Sequence, residues 1–197
     1  MTSLVVSREL PDEIASALAA SAVPYFPSLT INGQAIDLAH LEPLSLAFAV
    51  ERLAGRTLTI DVKFTNHCYT ETFDPGRHDP AHVVMDRGRK RVFDPQRHDL
   101  SRHLPEIIRS LPARSVHITR PGRNYVYVAQ VDVQGSAYPL FFHLRRGAQR
   151  HDLTMVVESA YPVADRQEIL RGTSKVSFAV LCAKTFRGER VTSYTPR

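Results

Sequence analysis

The sequence has few of the features on which small secreted folds and membrane proteins depend. Its only cysteines are Cys68 and Cys182, so a disulfide framework is excluded and reduced, buried thiols in the cytoplasm are favoured. No apolar run approaches the roughly 20 residues that span a bilayer. The N-terminus also lacks the basic and apolar segments of a signal peptide. We therefore expect a cytoplasmic protein that does not enter a membrane.

The motifs of several enzyme classes are also missing. The sequence contains no glycine-rich phosphate loop, no Gly-x-Ser-x-Gly, no paired Cys-x-x-Cys and no His-Glu-x-x-His. These absences argue against nucleotide hydrolases, serine hydrolases and structural zinc sites, and no cofactor is predicted. Tryptophan is absent and aromatic residues make up only 8% of the chain, so an extended stacking platform for nucleic acid is weakly supported.

Positive charge, by contrast, is concentrated in one part of the chain. The whole sequence carries 25 basic and 20 acidic residues, a net charge of +5. Residues 86–123 alone hold ten basic and four acidic side chains, whereas residues 1–60 hold three basic and six acidic ones. A concentrated basic region is typical of proteins that bind RNA or another polyanion. The alternative is a set of solvated charges spread around the fold.

The length and the apolar fraction of 43% favour one domain with a real core. An alanine-rich helix is predicted over residues 8–21, and the Asn32-Gly33 pair predicts a hairpin turn within residues 28–36. Residues 1–56 are thus expected to form a helical and hairpin N-terminal part. Strict alternation over residues 57–70 predicts a strand that points Cys68 inward and His67 outward.

The rest of the chain changes from a helical period to period two. A helix is expected from about Leu104, because Pro105 suits a first turn. Alternation then predicts strands with short connections over residues 115–119, 124–133, 138–145, 152–161 and 175–184. The expected fold is α+β, with a helical N-terminal part and a mainly antiparallel meander sheet packed by one or two helices. The sheet core would span residues 57–186 and a polar tail residues 187–197.

Two histidine-containing segments are the first candidate sites. His67 lies in Asn66-His67-Cys68-Tyr69-Thr70 at the end of a predicted strand, where sites are often built. A direct Cys–His pair is not expected, because neighbours on a strand point to opposite faces. His78 and His82 have the i, i+4 spacing of metal ligands, with Asp86 or Asp94 as a third donor, but Pro80 between them argues for a loop.

Two further segments combine groups suited to RNA chemistry. Cleavage of RNA without a metal needs a base for the 2′-hydroxyl, a cation for the phosphorane and an acid for the leaving oxygen. The segment from Arg97 to His103 offers imidazole, guanidinium and hydroxyl groups before the predicted helix, although it also reads as a polar helix-capping segment. Glu158-Ser159-Ala160-Tyr161 closes an apolar strand, and His143 and Arg145 share a face of the strand before it.

The order of elements from Arg97 to Tyr161 resembles that of the barnase–EndoU–colicin–RelE group of small nucleases, especially its phage-borne members. The resemblance implies a helix packed on a four-stranded antiparallel sheet, whose His, Arg, Ser and Tyr side chains cut RNA without metal. The strings around His67 and Glu158 are also similar to those of small bacterial proteins without an assigned function. The candidate catalytic residues are His67, Arg97, His98, His103, Glu158, Ser159 and Tyr161, and the candidate substrate-binding residues are Arg91, Arg102, His143 and Arg145.

The leading hypothesis from the sequence is a metal-independent ribonuclease of toxin or phage-defence type. Its substrate would be RNA, and an antitoxin or immunity protein is a candidate partner. A second hypothesis is a nucleic-acid-binding or regulatory module without catalysis. A third is a metal-dependent hydrolase that uses His78, His82 and nearby aspartates.

Overall fold

The computed structural model describes residues 23–119, 127–133, 136–148, 150–189 and 191. Over these residues the chain has an α+β arrangement. The strands are β1 (Leu29–Ile31), β2 (Gln34–Ile36), β3 (Leu44–Val50), β4 (Arg56–Phe64), β5 (Thr70–Thr72), β6 (Val83–Asp86), β7 (Arg89–Phe93), β8 (Ser115–Ile118), β9 (Tyr127–Val133), β10 (Ser136–Arg146), β11 (Leu153–Ala160) and β12 (Ser174–Ser177). The helices are α1 (Pro95–Ser101), α2 (Leu104–Ser110), α3 (Arg166–Leu170) and α4 (Phe178–Arg187).

Most of the described strands belong to one mixed sheet, in the order β12-β8-β9-β10-β11-β4-β3. Its neighbours run antiparallel except β4 and β11, which are parallel with Val62 opposite Met155. Parallel strands need a long crossover connection, and here residues 65–152 supply it. That connection holds a second, smaller sheet in the order β5-β7-β6, together with α1 and α2.

One hydrophobic core lies between the main sheet and helices α2 and α4. On β4 the side chains alternate, because Leu58, Ile60, Val62 and Phe64 are buried while the residues between them are partly exposed. The ring of Phe178 on α4 lies 6.1 Å from that of Phe142 on β10. No described helix has the length and apolar character needed to span a bilayer.

The expectation of a helical N-terminal part is wrong for the described chain. The helix predicted over residues 8–21 lies outside the described residues. From residue 23 to residue 56 the chain forms β1, β2, β3 and two single 3₁₀ turns. Asn32 and Gly33 close the β1–β2 hairpin with φ of 51° and 76°, and β3 becomes an edge strand that buries Leu46 and Val50.

The sheet also departs from the predicted meander. Strands β8 to β11 follow one another antiparallel as expected, but β4 then joins β11 in parallel. The strand predicted over residues 57–70 ends at Phe64, and a 3₁₀ turn follows at Asn66–Cys68. Residues 175–184, predicted as a strand, form β12 and then helix α4, because burial there repeats with helical spacing.

Candidate functional site

A cleft opens where the parallel strands β4 and β11 end. The backbone N–H of Thr65 donates to the carbonyl of Val157 at 3.0 Å, and the Thr65 hydroxyl donates to the carbonyl of Glu158 at 2.6 Å. These bonds hold the two carboxyl ends together, which is where open sheets with parallel strands place their ligands. The cleft has a volume of about 400 Å³ and is lined by Tyr25, Phe26, Pro27, Phe64, Thr65, Asn66, His67, Tyr69, Val84, Met85, Asp86, Arg87 and Glu158.

His67 stands on one wall of this cleft, paired with a carboxylate. It lies in the 3₁₀ turn Asn66–Cys68, and its backbone N–H donates to the Thr65 hydroxyl, which caps the turn. Nε2 of His67 is 2.9 Å from Oδ2 of Asp86, the last residue of β6. The two side chains are 33% and 27% exposed, so both reach solvent in the cleft. An imidazole held by a carboxylate is oriented for proton transfer.

Glu158 faces the same cleft from β11. A bulge in the β10–β11 pairing places Phe141 opposite Ser159 and Phe142 opposite Val157, which leaves Glu158 as the extra residue. Bulges redirect side chains and often lie beside active sites. Oε1 of Glu158 is 3.4 Å from Nε2 of His143, and the Glu158 side chain is 40% exposed. The sequence suggested a group of His143, Arg145 and Glu158, and of the two basic residues His143 is the one that contacts Glu158.

Two arginines lie behind the cleft wall, where they hold its backbone. Arg91 donates to the hydroxyl and the carbonyl of the buried Thr70 at 2.7 and 2.8 Å. Arg97 donates to the carbonyl of Thr70 at 3.1 Å and that of His67 at 3.5 Å, and it pairs with Asp94 at 3.2 Å. Burial lowers the pKa of Arg91, and the charge of Arg97 adds to this effect. Arg97 thus holds the turn that carries His67 directly, whereas Arg91 holds Thr70, whose hydroxyl donates to the Asn66 carbonyl at 2.7 Å.

Tyr161 completes the packing around Arg97. The Arg97 guanidinium lies 4.9 Å from the centre of the Tyr161 ring, a cation–π contact, and Tyr161 stacks on Phe141 with 5.4 Å between ring centres. Ser159 is partly exposed beside Glu158. Arg145 is exposed on β10, where it pairs with Thr154 and lies two residues after His143. None of these side chains lines the cleft in the described part of the chain.

His98, His103 and Arg102 lie in and after α1, away from the cleft lining. His98 is buried, where Nε2 donates to the carbonyl of Asp37 at 2.8 Å. Arg102 reaches the Asp37 carboxylate at 4.0 Å, the outer limit of an ion pair. The backbone of His103 precedes α2, and its carbonyl accepts the N–H of Ile107. This segment therefore stabilises the junction of the two helices with residues 37–41.

The sequence did not point to His40, a half-buried histidine beside that junction. Nε2 of His40 donates to the Ser101 hydroxyl at 2.6 Å, and this hydroxyl in turn donates to the His98 carbonyl at 2.6 Å. The rings of His40 and His98 are 5.5 Å apart. Burial, together with the charges of His98 and Arg102, lowers the pKa of His40 to about 4. Ser101 is fully buried, so it is a structural group and not an accessible nucleophile.

Cys68 lies on the core side of the 3₁₀ turn. It is fully buried and free, and burial raises the pKa of its thiol to about 12. Its Sγ is 3.9 Å from the carbonyl oxygen of Val157. A thiol protonated at neutral pH and closed to solvent is a poor nucleophile. The packing agrees with the expectation of a buried, reduced cysteine.

The two histidines of the metal hypothesis have other partners. Nδ1 of His78 accepts the N–H of Asp74 at 2.8 Å and its Nε2 pairs with Glu71 at 3.0 Å. Nε2 of His82 is 2.8 Å from Oδ1 of Asn32. Across the residues that the structure describes, no group of three or more His, Cys, Asp or Glu side chains has the arrangement of a metal site.

The sequence did not indicate the role of two residues in the cleft. Asp86 was a candidate only as a metal ligand, and Arg87 only as part of the basic region. Both lie at the end of the β6–β7 hairpin, which brings Asp86 into contact with His67 and Arg87 into the cleft lining. The local sequence signal for this hairpin is Gly88, because glycine favours the positive φ of a tight hairpin turn. In the structure Arg87 and Gly88 have φ of 47° and 81°.

Comparison with known proteins gives one finding. The model of the YjaZ family matches residues 28–186, which include every strand of the main sheet and the whole cleft apart from Tyr25, Phe26 and Pro27. No curated protein and no solved structure matches the chain. Because the match extends over most of the sequence, the chain belongs to the YjaZ family.

Proposed function

We propose that this protein is a ribonuclease that cleaves RNA by general acid–base chemistry without a metal ion. The observation that carries the proposal is a single cleft lined by both Glu158 and the His67–Asp86 pair. Such chemistry needs a base and an acid on one bound nucleotide, each within reach of its proton. The resemblance of the region from Arg97 to Tyr161 to the barnase–EndoU–colicin–RelE nucleases supports the same reaction class.

The reaction follows from the groups in the cleft. Glu158 accepts the proton of the 2′-hydroxyl while the 2′-oxygen forms a bond to phosphorus. The bond from phosphorus to the 5′-oxygen breaks, and protonated His67 donates a proton to that leaving oxygen. The products carry a 2′,3′-cyclic phosphate and a 5′-hydroxyl. Asp86 occupies Nε2 of His67, so Nδ1 is the nitrogen left to give the proton.

Neighbouring side chains support these two residues. His143 contacts Oε1 of Glu158 and orients the carboxylate. Arg87 lines the cleft and supplies positive charge for the phosphorane. Arg97 acts as a positioning residue, because its guanidinium group holds the carbonyl of His67. Arg91 acts at one remove, because it holds Thr70, whose hydroxyl donates to the carbonyl of Asn66 in the same turn.

The biological setting that fits such an activity is a toxin or a phage-defence component. An unrestrained ribonuclease harms the cell that makes it, so an antitoxin or immunity protein is the partner we propose. RNA is abundant in the cytoplasm, which is the compartment we propose for the activity. Expression of the wild-type chain is expected to slow growth of the host more than expression of a Glu158→Gln chain.

The test is incubation of the purified protein with total RNA and with tRNA, once in EDTA and once in manganese. Cleavage is expected in EDTA, with cyclic phosphate ends. Glu158→Gln is expected to lower the rate by about 10²- to 10⁴-fold, the usual contribution of a general base. Glu168→Gln is the matched control, because Glu168 is exposed on α3 and should leave the rate unchanged.

The outcomes separate the three functions. Normal cleavage by a Glu158→Gln protein that is folded by circular dichroism would remove Glu158 from the mechanism. Cleavage only with manganese would favour a metal-dependent hydrolase. Salt-sensitive binding of RNA without cleavage in either buffer would favour a binding module.

A further inference from the structure

The β6–β7 hairpin carries its charges on two distinct faces. Antiparallel pairing places Asp86 opposite Arg89 and Val84 opposite Arg91. Cross-strand partners lie on the same side of a sheet, and alternate residues of one strand share a face. The Asp86 carboxylate contacts His67 in the cleft, so Arg89, its cross-strand partner, lies on the same face of the hairpin.

The cations of the hairpin have different surroundings. Arg91 is committed to Thr70, and Lys90 lies over the Phe73 ring at 5.9 Å on the opposite face. Arg87 and Arg89 are exposed, and within the described residues neither has an ion pair with a carboxylate. Arg87 lines the cleft, and Arg89 follows on the next strand of the same hairpin. Exposed guanidinium groups in a row suit phosphate oxygens, which they bind through two N–H groups.

Part of the cleft lining is aromatic, and Tyr25 is 42% exposed there. The Tyr25 ring meets Phe26 edge to face at 4.9 Å, and Phe26 meets Tyr69 in the same way at 5.2 Å. An unpaired base can stack against such a surface, whereas the bases of a duplex stay inside the helix. A volume of about 400 Å³ is small for a duplex and suits a single nucleotide.

We infer that the β6–β7 hairpin is a binding subsite for the backbone of single-stranded RNA. Arg89 contacts the phosphate next to the one that is cut, Arg87 contacts the cut phosphate from the cleft, and Tyr25 contacts an unpaired base. The inference rests on the proposed function for the identity of the polyanion as RNA. It adds the substrate class, single-stranded RNA, and the residues that bind the RNA away from the phosphate that is cut.

The test measures binding of a fluorescent 12-nucleotide single-stranded RNA by anisotropy, from low to high KCl, with the full-length protein. All proteins carry Glu158→Gln, so the RNA stays intact. Arg89→Gln is expected to lower the slope of log Kd against log[KCl] by about 0.7, the value for one phosphate contact to a single strand. Adding Arg87→Asn should lower it by about as much again, and Asn suits the left-handed φ of 47° at this position.

Lys90→Gln is the matched control, because it removes one charge from the opposite face of the same hairpin. An unchanged slope with Lys90→Gln and a lower slope with Arg89→Gln would support the subsite. Equal slopes for both variants would overturn it, since net charge alone would then explain binding. A fully paired duplex that competes as well as the single strand would overturn the substrate class, as would displacement of the RNA by poly-glutamate.

The proposed function and this subsite fail in different ways. If the wild type cuts no RNA in EDTA or manganese but the variants show the expected salt slopes of RNA binding, the ribonuclease proposal is wrong and the binding subsite is supported. If the wild type cuts RNA but Arg89→Gln and Lys90→Gln give equal salt slopes of RNA binding, the ribonuclease proposal is supported and the subsite is wrong.

Discussion

The Asp86 carboxylate determines how the His67 ring is oriented in the cleft. His67 alone is a surface histidine at a turn, but at 2.9 Å from Asp86 its ring has a fixed orientation. Glu158 depends in the same way on the bulge that separates it from the regular pairing of β10 and β11. Both arrangements place an ionisable group in a cleft that water can enter, where proton transfer to a substrate is feasible.

His40 supplies a test of pH dependence at the same scale. Burial lowers the pKa of His40 to about 4, whereas an unfolded chain has a histidine pKa of about 6.5. Between these values the unfolded state binds more protons, so the free energy of unfolding falls as the pH is lowered from about 6.5 to about 4. The expected loss from His40 is about 1–2 kcal/mol after allowance for the solvent that reaches this half-buried ring.

The measurement is urea unfolding of the wild-type and His40→Gln proteins at several values of pH. The groups that face His40 are His98, Arg102, Asp37 and Ser101, and they are the same in both proteins. The wild type should lose more stability than the variant over this range. Parallel curves for the two proteins would show that His40 does not carry the effect.

At the scale of elements, helix α4 is the instructive case. Its sequence alternates well enough to predict a strand that points Val176, Phe178, Val180 and Cys182 inward. In the structure Ser177 ends β12, and Phe178, Leu181 and Cys182 bury one face of a helix. Gly188 then ends the helix at φ 73°. Phe178 and Cys182 would be buried in either a strand or a helix, because their spacing of four residues fits both periods. Val180 and Leu181 are therefore the residues that distinguish a strand from a helix.

This pair gives a direct test of the helix. Leu181→Ala is expected to cost about 2–5 kcal/mol, because Leu181 is fully buried in the core. Val180→Ala should cost clearly less, because Val180 is only partly buried in α4. A strand would reverse the order, with Val180 inward and Leu181 outward. Chemical denaturation of both variants decides between the two.

At the scale of the whole molecule, the parallel pair β4–β11 joins distant parts of the chain. Leu153 lies opposite Ile60, and the same core contains residues from Leu38 to Ala183. The hairpin that carries Asp86 and the turn that carries His67 both belong to the crossover between these strands. The cleft is therefore an outcome of the complete fold, and no single supersecondary unit contains it.

A shared core predicts one cooperative unfolding transition. Tyrosine fluorescence and far-ultraviolet circular dichroism should give the same midpoint in urea, since the chain has no tryptophan to bias the fluorescence toward one site. Separate midpoints would mean that the small sheet β5-β7-β6 unfolds independently of the main sheet. The His67–Asp86 contact would then be lost before the core.

The period-two strands β9 to β11, the start of a helix at Leu104 and the inward position of Cys68 could be predicted from the sequence alone. Local alternation and proline positions are enough for these, because they depend on neighbours within a few residues. The sequence also pointed to His67, Glu158, Arg91 and Arg97 as residues of interest. What it could not supply was their arrangement.

The parallel pairing of β4 with β11 and the contact of the β6–β7 hairpin with His67 could be seen only in the folded chain. The tertiary structure also turned His98 into a buried contact and left Arg87 facing the cleft. Register and crossover connections depend on residues nearly 100 positions apart. No local pattern in the sequence contains that information, so the partners of each polar group became known only from the fold.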